Sequence, residues 1–118
     1  MKDFKDKVMF ITGAAHGFGR VIAEEGAKRG MKLALVDIDK PALNETYQIV
    51  VATGADAVMI PTDVTKEDEV NAAIDQTLQT FKQIDLLIND AGIALPGRMW
   101  ELPTRDWEWI MHVNVMSQ

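Results

Sequence analysis

The chain has 118 residues, which suits one compact domain, and its 47% apolar and 25% charged residues are typical of a globular protein. The net charge of −6 makes nucleic acids and anionic membranes poor candidate partners. The absence of cysteine excludes disulfides and Cys-based metal sites, and the two histidines, His16 and His112, are too far apart for a metal-ligand spacing, so no metal site is predicted.

Short apolar runs rich in strand formers alternate along the chain with segments whose apolar residues recur at helical spacing. The predicted strands are residues 7–12, 32–37, 56–61 and 85–89. The predicted helices are residues 17–29, a segment that starts after Asp39 and is closed by Gly54, a segment opened by Thr65, and a segment from Thr104 onward. This alternation predicts right-handed crossovers and a parallel sheet covered on both faces, which is an α/β fold.

Local signals define two of the helix starts and one packing residue. Asp39 is predicted to cap the second helix, with Pro41 in its first turn. Thr65 followed by Asp68 resembles a capping box for the third helix. Tyr47 falls on the apolar face of the second helix, so it is interpreted as a packing residue.

The last part of the sequence ends inside a predicted element. Residues 91–103 are predicted to be loop, and residues 104–118 carry a helical pattern with no stop signal. Since strand 85–89 would also present a bare apolar edge, we expect residues 1–118 to be a single domain truncated after the start of that helix. The sequence shows no signal-type stretch and no run approaching the ~20 apolar residues of a membrane span, so we expect a soluble, cytoplasmic protein.

The stretch MFITGAAHGFGR, residues 9–20, places three glycines between a predicted strand and a predicted helix. The N–H groups at a helix N-terminus, together with the helix dipole, form a site for an anion such as a pyrophosphate. Gly13 permits the tight turn, Gly17 lets the backbone approach the phosphates, and Gly19 allows close helix–strand packing. By its spacing alone, G-x-x-x-G-x-G, the stretch is also compatible with a purely structural turn.

Asp37 ends the second predicted strand, 18 residues after Gly19. An acidic side chain there can accept hydrogen bonds from the ribose hydroxyls of a dinucleotide. An isolated Asp at a strand end also serves as a turn former or cap. The ordered set of strand, glycine turn, helix, strand and Asp favours dinucleotide binding.

These residues resemble the motifs of the short-chain dehydrogenase/reductase family. The matches are TGAAHGFG at 12–19 for the family's TGxxxGxG, Asp37, Asp63 and Val64 after the third strand, NDAG at 89–92, and Asn114. The resemblance implies a Rossmann-type doubly wound parallel sheet, here incomplete, with four strands in the order 3-2-1-4 and helices on both faces. It also implies hydride transfer between NAD(P) and a small-molecule alcohol or carbonyl substrate.

The resemblance carries roles over to individual positions. The implied cofactor-binding residues are Gly13, His16, Gly17, Phe18, Gly19, Asp37, Asp63, Val64, Asp90, Ala91 and Gly92. Asp63 and Val64 would contact adenine, and residues 89–92 would pass beside the ribose and nicotinamide. Asn114 would help to hold a water in the proton relay. In the family the helix at 104–118 contributes to a subunit interface, which would allow a homo-oligomer, and packing of its aromatic residues at the domain surface is the alternative.

The same comparison predicts NAD rather than NADP as the cofactor. The Asp37 carboxylate would repel the 2′-phosphate of NADP and accept hydrogen bonds from the free hydroxyls of NAD. Family members that prefer NADP usually place a basic residue just before the second glycine or just after the second strand. Those positions hold His16 and Ile38 in this sequence.

Two departures from the family pattern affect the predicted function. Asp90 replaces the amide of the family's NNAG, and an ionised carboxylate only accepts hydrogen bonds. The catalytic Ser and Tyr-x-x-x-Lys are absent, because the sole tyrosine, Tyr47, is followed four residues later by Val51, and the sole serine is Ser117. We therefore expect an oxidoreductase whose 118-residue chain is inactive by itself. A non-catalytic nucleotide-binding module and an inactive truncated fragment are the alternatives.

Overall fold

The computed structural model describes residues 4–89. The strands are β1 (Val8–Thr12), β2 (Lys32–Asp37), β3 (Ala57–Pro61) and β4 (Leu86–Asn89). The helices are α1 (Gly17–Lys28), α2 (Lys40–Val51) and α3 (Glu67–Phe81). Each of these elements lies where the hydrophobic pattern predicts it, whereas the predicted loop 91–103 and the helix from Thr104 lie outside the described residues.

The strands form a single parallel sheet in the order β3-β2-β1-β4, which confirms the predicted order. The chain steps from β1 to β3 in one direction and then returns to place β4 on the other side of β1. Because such crossovers are right-handed, α1 and α2 lie on one face of the sheet and α3 on the other. The reversal creates a switch point at the carboxyl ends of β1 and β4, where sheets of this kind bind ligands.

The core is built from strands that are apolar along nearly their whole length. All five residues of β1 and the four central residues of β2 are buried, as expected for a sheet covered on both faces. The largest fully buried side chains in these two strands and β4 include Phe10, Ile11, Leu33, Leu35 and Ile88. Burying each such side chain contributes about 1.5–3 kcal/mol, so the apolar strands stabilise the platform that carries the site.

Gly26 lets α1 lie close to the sheet. A Cβ at this position would come within 2.6 Å of the Met9 Cε atom and 3.1 Å of the Leu33 Cδ2 atom. Both distances are shorter than ordinary carbon–carbon contacts, so a larger residue would displace neighbouring side chains. α1 therefore approaches β1 and β2 closely at Gly26.

The helix starts show one confirmed prediction and one that is wrong. Asp39 caps α2, because its Oδ1 atom accepts a hydrogen bond from the Ala42 N–H at 3.2 Å. The predicted capping box at Thr65 does not form, since Lys66 is the residue before α3 and makes no side-chain cap. The Thr65 hydroxyl instead donates to Asp63 Oδ1 at 2.6 Å. An Asp two residues earlier offers Thr65 a nearer acceptor than the helix does.

Other features of the described residues bear on function. Tyr47 is partly buried and packs against the core, as the packing interpretation predicts. Within residues 4–89, no helix is both long and apolar enough to cross a membrane. The same residues contain no cluster of three or more acidic or histidine side chains that could hold a metal ion.

Candidate functional site

The glycine turn, residues 13–16, connects β1 to α1 at the switch point. Gly13 has a φ of +74° and Gly17, the first residue of α1, a φ of +50°, a region that side-chain-bearing residues rarely adopt. A Cβ at Gly17 would meet no atom within 4 Å, so the space beside this residue is open. The backbone is therefore accessible where α1 begins.

The N-terminus of α1 has no capping side chain. His16 precedes the helix without a side-chain hydrogen bond to it, and the first turn carries no acidic residue. The first N–H groups of a helix have no intrahelical acceptor and lie at the positive end of its dipole. This end of α1 can therefore bind an anion through its backbone.

Asp37, the last residue of β2, joins the first two turns of the fold. Its Oδ2 atom accepts from the Ala15 N–H at 3.0 Å, and its Oδ1 atom accepts from the Asp39 N–H at 3.0 Å. Each carboxylate oxygen has a second lone pair available for another donor. The two backbone contacts thus fix the orientation of a carboxylate that can still accept hydrogen bonds from a ligand.

His16 and Asp39 form a polar contact across the same two turns. The His16 Nε2 atom lies 2.7 Å from Asp39 Oδ2, and both side chains are substantially exposed. The hydrogen bond from His16 holds the pKa of the Asp39 carboxyl below its ordinary value, and the Ala42 N–H acts in the same direction. The histidine of the glycine turn therefore contacts the residue that caps α2, and the sequence did not predict this contact.

Asp63 organises the segment that follows β3. Its Oδ1 atom accepts from the Thr65 hydroxyl at 2.6 Å and from the Thr65 N–H at 3.0 Å, and these bonds lower the pKa of the Asp63 carboxyl. The Asp63 N–H donates to Glu69 Oε1 at 2.9 Å. These hydrogen bonds fix residues 63–65 relative to one another and connect them to Glu69 in the first turn of α3.

A cleft of about 320 Å³ opens beside these groups at the carboxyl edge of the sheet. It is lined by Gly13, Asp37, Ile38, Thr62, Asp63, Val64 and Thr65. The register explains this grouping, because Asp37 pairs with Pro61 and Thr12 pairs with Val36. Its volume falls at the lower end of the range for small-molecule sites.

The structure brings several of the predicted site residues to one edge of the sheet. Gly13, Asp37, Asp63 and Val64 line the cleft, His16 lies in the adjoining glycine turn, and Gly17 begins α1. Phe18 packs partly buried against the core, and Gly19 is buried within α1. The remaining predicted residues, which lie outside the described part of the chain, are Asp90, Ala91, Gly92 and Asn114.

Sequence reasoning assigned no binding role to three of the residues that line the cleft, Ile38, Thr62 and Thr65. Thr62 is buried, and its hydroxyl donates to the Ile60 carbonyl at 2.9 Å, while Thr65 was assigned to the helix start. The spacing Asp-x-Thr shortly after an apolar strand is the signal for Thr65, because Asp commonly accepts from a residue two positions later.

Comparison with known proteins identifies relatives of this chain. The family model described as short chain dehydrogenase matches residues 7–118. A CLA biosynthesis dehydrogenase/reductase of Lactiplantibacillus plantarum is 70% identical over 118 residues, which are 100% of this chain and 41% of the relative. The chain thus spans less than half the length of that curated relative.

Solved structures of NAD complexes resemble the chain as well. A short chain dehydrogenase/reductase from Burkholderia phymatum in complex with NAD is 44% identical, with a TM-score of 0.76, over 99% of this chain and 42% of that one. A short chain dehydrogenase from Mycobacterium paratuberculosis bound to NAD is 26% identical, with a TM-score of 0.73, over 98% of this chain and 47% of that one. With the family motifs and the β3-β2-β1-β4 sheet, these matches confirm the resemblance, and the chain belongs to the short-chain dehydrogenase family.

Proposed function

We propose that this chain carries the NAD-binding half of an oxidoreductase that interconverts a small-molecule alcohol and its carbonyl compound. The observation that carries the proposal is the Asp37 carboxylate, fixed by two backbone N–H groups beside the uncapped N-terminus of α1. A ribose-binding acceptor and an anion-binding helix end are thus adjacent, as dinucleotide binding requires.

The described residues fit the cofactor in three parts. The pyrophosphate would be held by backbone N–H groups at the start of α1, where Gly17 leaves open space. The ribose hydroxyls would donate to Asp37, and the adenine would lie in the cleft beside Ile38 and Val64. The bound NAD supplies the hydride acceptor or donor, and these residues hold and orient it.

The charges at this edge favour NAD over NADP. A 2′-phosphate about 4 Å from the Asp37 carboxylate would be repelled by about 1–4 kcal/mol, a range that includes a tenfold difference in affinity. His16 could offset this repulsion only as a cation directed at the phosphate, yet it contacts Asp39 at 2.7 Å. Asp39 adds a second negative charge beside Asp37, so we propose NAD as the preferred cofactor.

The rest of the proposal rests on the family resemblance. Residues 90–92 would complete the cofactor site, Asn114 would hold a water of the proton relay, and the 104–118 helix would form a subunit interface. We also propose a cytoplasmic location. The 70% identical relative is named for CLA biosynthesis, so the substrates of that process are the first to test with a protein that contains the missing catalytic residues.

Urea unfolding with and without cofactor tests the binding proposal. NAD at about one hundred times its Kd should raise the free energy of unfolding by about 2.7 kcal/mol. NADP should need at least about a tenfold higher concentration for the same shift. No shift with NAD would refute the cofactor site, and equal shifts with both cofactors would refute the preference alone.

A turnover assay tests whether the chain binds NAD without catalysing alcohol oxidation. The 118-residue chain lacks the Ser and Tyr-x-x-x-Lys of the family, so it should bind NAD without oxidising alcohols. Appearance of NADH absorbance with the purified chain and an alcohol, above that of a no-protein control, would contradict this expectation.

A further inference from the structure

Thr46 of α2 makes a contact with the glycine turn that its position in the sequence does not suggest. Its side chain is fully buried, and its hydroxyl donates to the Ala14 carbonyl oxygen at 2.9 Å, across 32 residues of sequence. The alternative acceptor within its own helix, the Ala42 carbonyl, is 3.5 Å away. Because a hydroxyl has a single proton, the shorter contact marks Ala14 as the acceptor.

Arg20 of α1 sets the direction of that hydroxyl. The Arg20 Nε atom donates to Thr46 Oγ1 at 2.8 Å, and its Nη2 atom donates to the Ala42 carbonyl at 2.9 Å. Glu45 lies 3.3 Å from the same Nη2 atom. Since Arg20 can only donate, it occupies a lone pair of the Thr46 oxygen and leaves the hydroxyl proton for Ala14.

Thr46 and Asp37 both hydrogen-bond to the peptide group between Ala14 and Ala15. Its carbonyl end accepts from Thr46 at 2.9 Å, and its N–H end donates to Asp37 at 3.0 Å. In a trans peptide the two ends point in opposite directions, so Thr46 and Asp37 grip one planar unit from opposite sides. A rotation of this peptide would break both contacts and leave buried polar groups unpaired.

We propose that Thr46, oriented by Arg20, is a positioning residue for cofactor binding. Its hydroxyl fixes the 14–15 peptide, and this peptide in turn aligns Asp37 with the N-terminus of α1. The proposal rests on the NAD site described above. Thr46 lies on the far side of the peptide from Asp37, so it acts through the turn. Loss of the Thr46 hydroxyl should therefore weaken NAD binding more than loss of another buried threonine hydroxyl that has a similar effect on stability.

Thr46→Val tests the proposal, because valine keeps the shape of threonine and removes the hydroxyl. NAD affinity should fall about tenfold, and exchange of the Ala15 amide hydrogen in the cofactor-free protein should speed up relative to the core amides. Thr46→Ser restores the hydroxyl and should bring both readouts back to within about twofold of wild type.

Thr77→Val is the matched control. Thr77 is also fully buried in a helix, and its hydroxyl donates to the Ala73 carbonyl at 2.8 Å in α3, which lies on the other face of the sheet. This variant should lose stability while leaving NAD affinity and Ala15 exchange unchanged. Equal NAD affinities and equal Ala15 exchange in the two valine variants would overturn the proposal.

Two further comparisons keep the result decisive. If Thr46→Val does not fold, Arg20→Met removes the orienting donor from a partly exposed side chain and should lower NAD affinity about threefold, and an unchanged affinity would overturn the proposal. If wild-type protein does not bind NAD, the cofactor proposal fails, whereas Ala15 exchange in the two valine variants still decides whether Thr46 holds the turn.

Discussion

The β1–α1 and β2–α2 junctions begin in the same way, at neighbouring strand ends of one parallel sheet, yet they end differently. α2 is closed by its own chain, because Asp39 caps it and Pro41 occupies its first turn. α1 has neither a capping side chain nor an acidic first-turn residue, and it follows a turn that contains Gly13 with a positive φ. A helix that satisfies its own N-terminus is structural, whereas one that leaves it open is suited to a ligand.

The β3–α3 junction extends the comparison. α3 has three acidic residues in its first turn, Glu67, Asp68 and Glu69, which offset the positive end of its dipole. An anionic ligand near the N-terminus of α3 would meet these charges. Among the junctions of the described residues, the one that follows β1 is therefore best suited to a pyrophosphate.

The largest expected effect comes from closing the open junction. Gly17→Ala places a Cβ in the space proposed for the pyrophosphate and strains a residue with a φ of +50°. We expect NAD affinity to fall by about tenfold or more and the free energy of unfolding to fall by about 1 kcal/mol.

Gly54→Ala is the control for Gly17→Ala. Gly54 also has a positive φ, +92°, and a Cβ added there would meet no atom within 4 Å. This residue lies between α2 and β3, at the amino-terminal ends of the strands and away from the cleft. The variant should lose similar stability and keep its NAD affinity, as measured by calorimetric titration. Equal loss of NAD binding in both variants would show that strain, and not the phosphate site, is responsible.

Asp37→Asn tests the acceptor that links the two compared junctions. The amide can serve the Ala15 N–H or the Asp39 N–H but not both, so we expect a stability loss of about 1 kcal/mol. Removing the negative charge should lower NAD affinity several-fold and bring the NAD-to-NADP affinity ratio down by about tenfold.

Asp56→Asn provides the same charge change at the amino-terminal ends of the strands, away from the cleft. Asp56 is exposed and directly precedes β3, whereas Asp37 ends β2. Its affinity ratio for the two cofactors should equal that of wild type in paired titrations. An unchanged ratio in Asp37→Asn would contradict the proposed role of Asp37 in cofactor choice.

Glu69→Ala tests whether the third junction supports the cleft. The Glu69 carboxylate accepts from the Asp63 N–H at 2.9 Å, so its removal should loosen the segment that lines the proposed adenine pocket. We expect NAD affinity to fall about twofold to threefold. Glu67→Ala removes an exposed acid from the same helix turn and should leave the affinity unchanged, and identical titrations for the two variants would disprove the support.

The smallest expected effect concerns the contact between the two junctions. Because His16 and then Ala42 lower the pKa of Asp39, this carboxyl should stabilise the fold above its ordinary pKa of 3.8 and lose that stabilisation as the pH falls through the lowered pKa. Both side chains are exposed, so the change should be small.

An NMR titration of the Asp39 carboxyl carbon measures the pKa of this group directly. In His16→Ala the midpoint should move up toward the ordinary value, while the midpoint of Asp63, whose pKa is lowered by Thr65, should stay in place. An Asp39 midpoint that is the same in wild type and His16→Ala would exclude the proposed cause.

The sequence predicted the fold because its determinants are local. Continuous apolar runs such as 32–37 specify buried strands, Asp39 with Pro41 specifies a helix start, and the alternation of strands and helices restricts the sheet to right-handed parallel connections. The wrong prediction at Thr65 is local as well, because Asp63 and the helix compete for the same hydroxyl and spacing alone does not rank them.

The candidate site was predicted in part. Gly13 and Asp37 were identified from the glycine turn and from the acid at the end of a predicted strand, and Asp63 from the family resemblance. The structure brings all three to one cleft because the carboxyl ends of parallel strands lie side by side. The contacts of His16 with Asp39 and of Thr46 with Ala14 join residues 23 and 32 positions apart, and no periodicity records them.

By itself, the sequence determined which residues form strands and helices, which family they belong to, and which strand ends carry glycine or acid. Only the tertiary structure decided which polar groups meet across the turns and which helix keeps its N-terminal amides open. The physical reason is that hydrogen bonds need donors and acceptors within about 3 Å, and that separation is set by how α1 and α2 pack on the sheet.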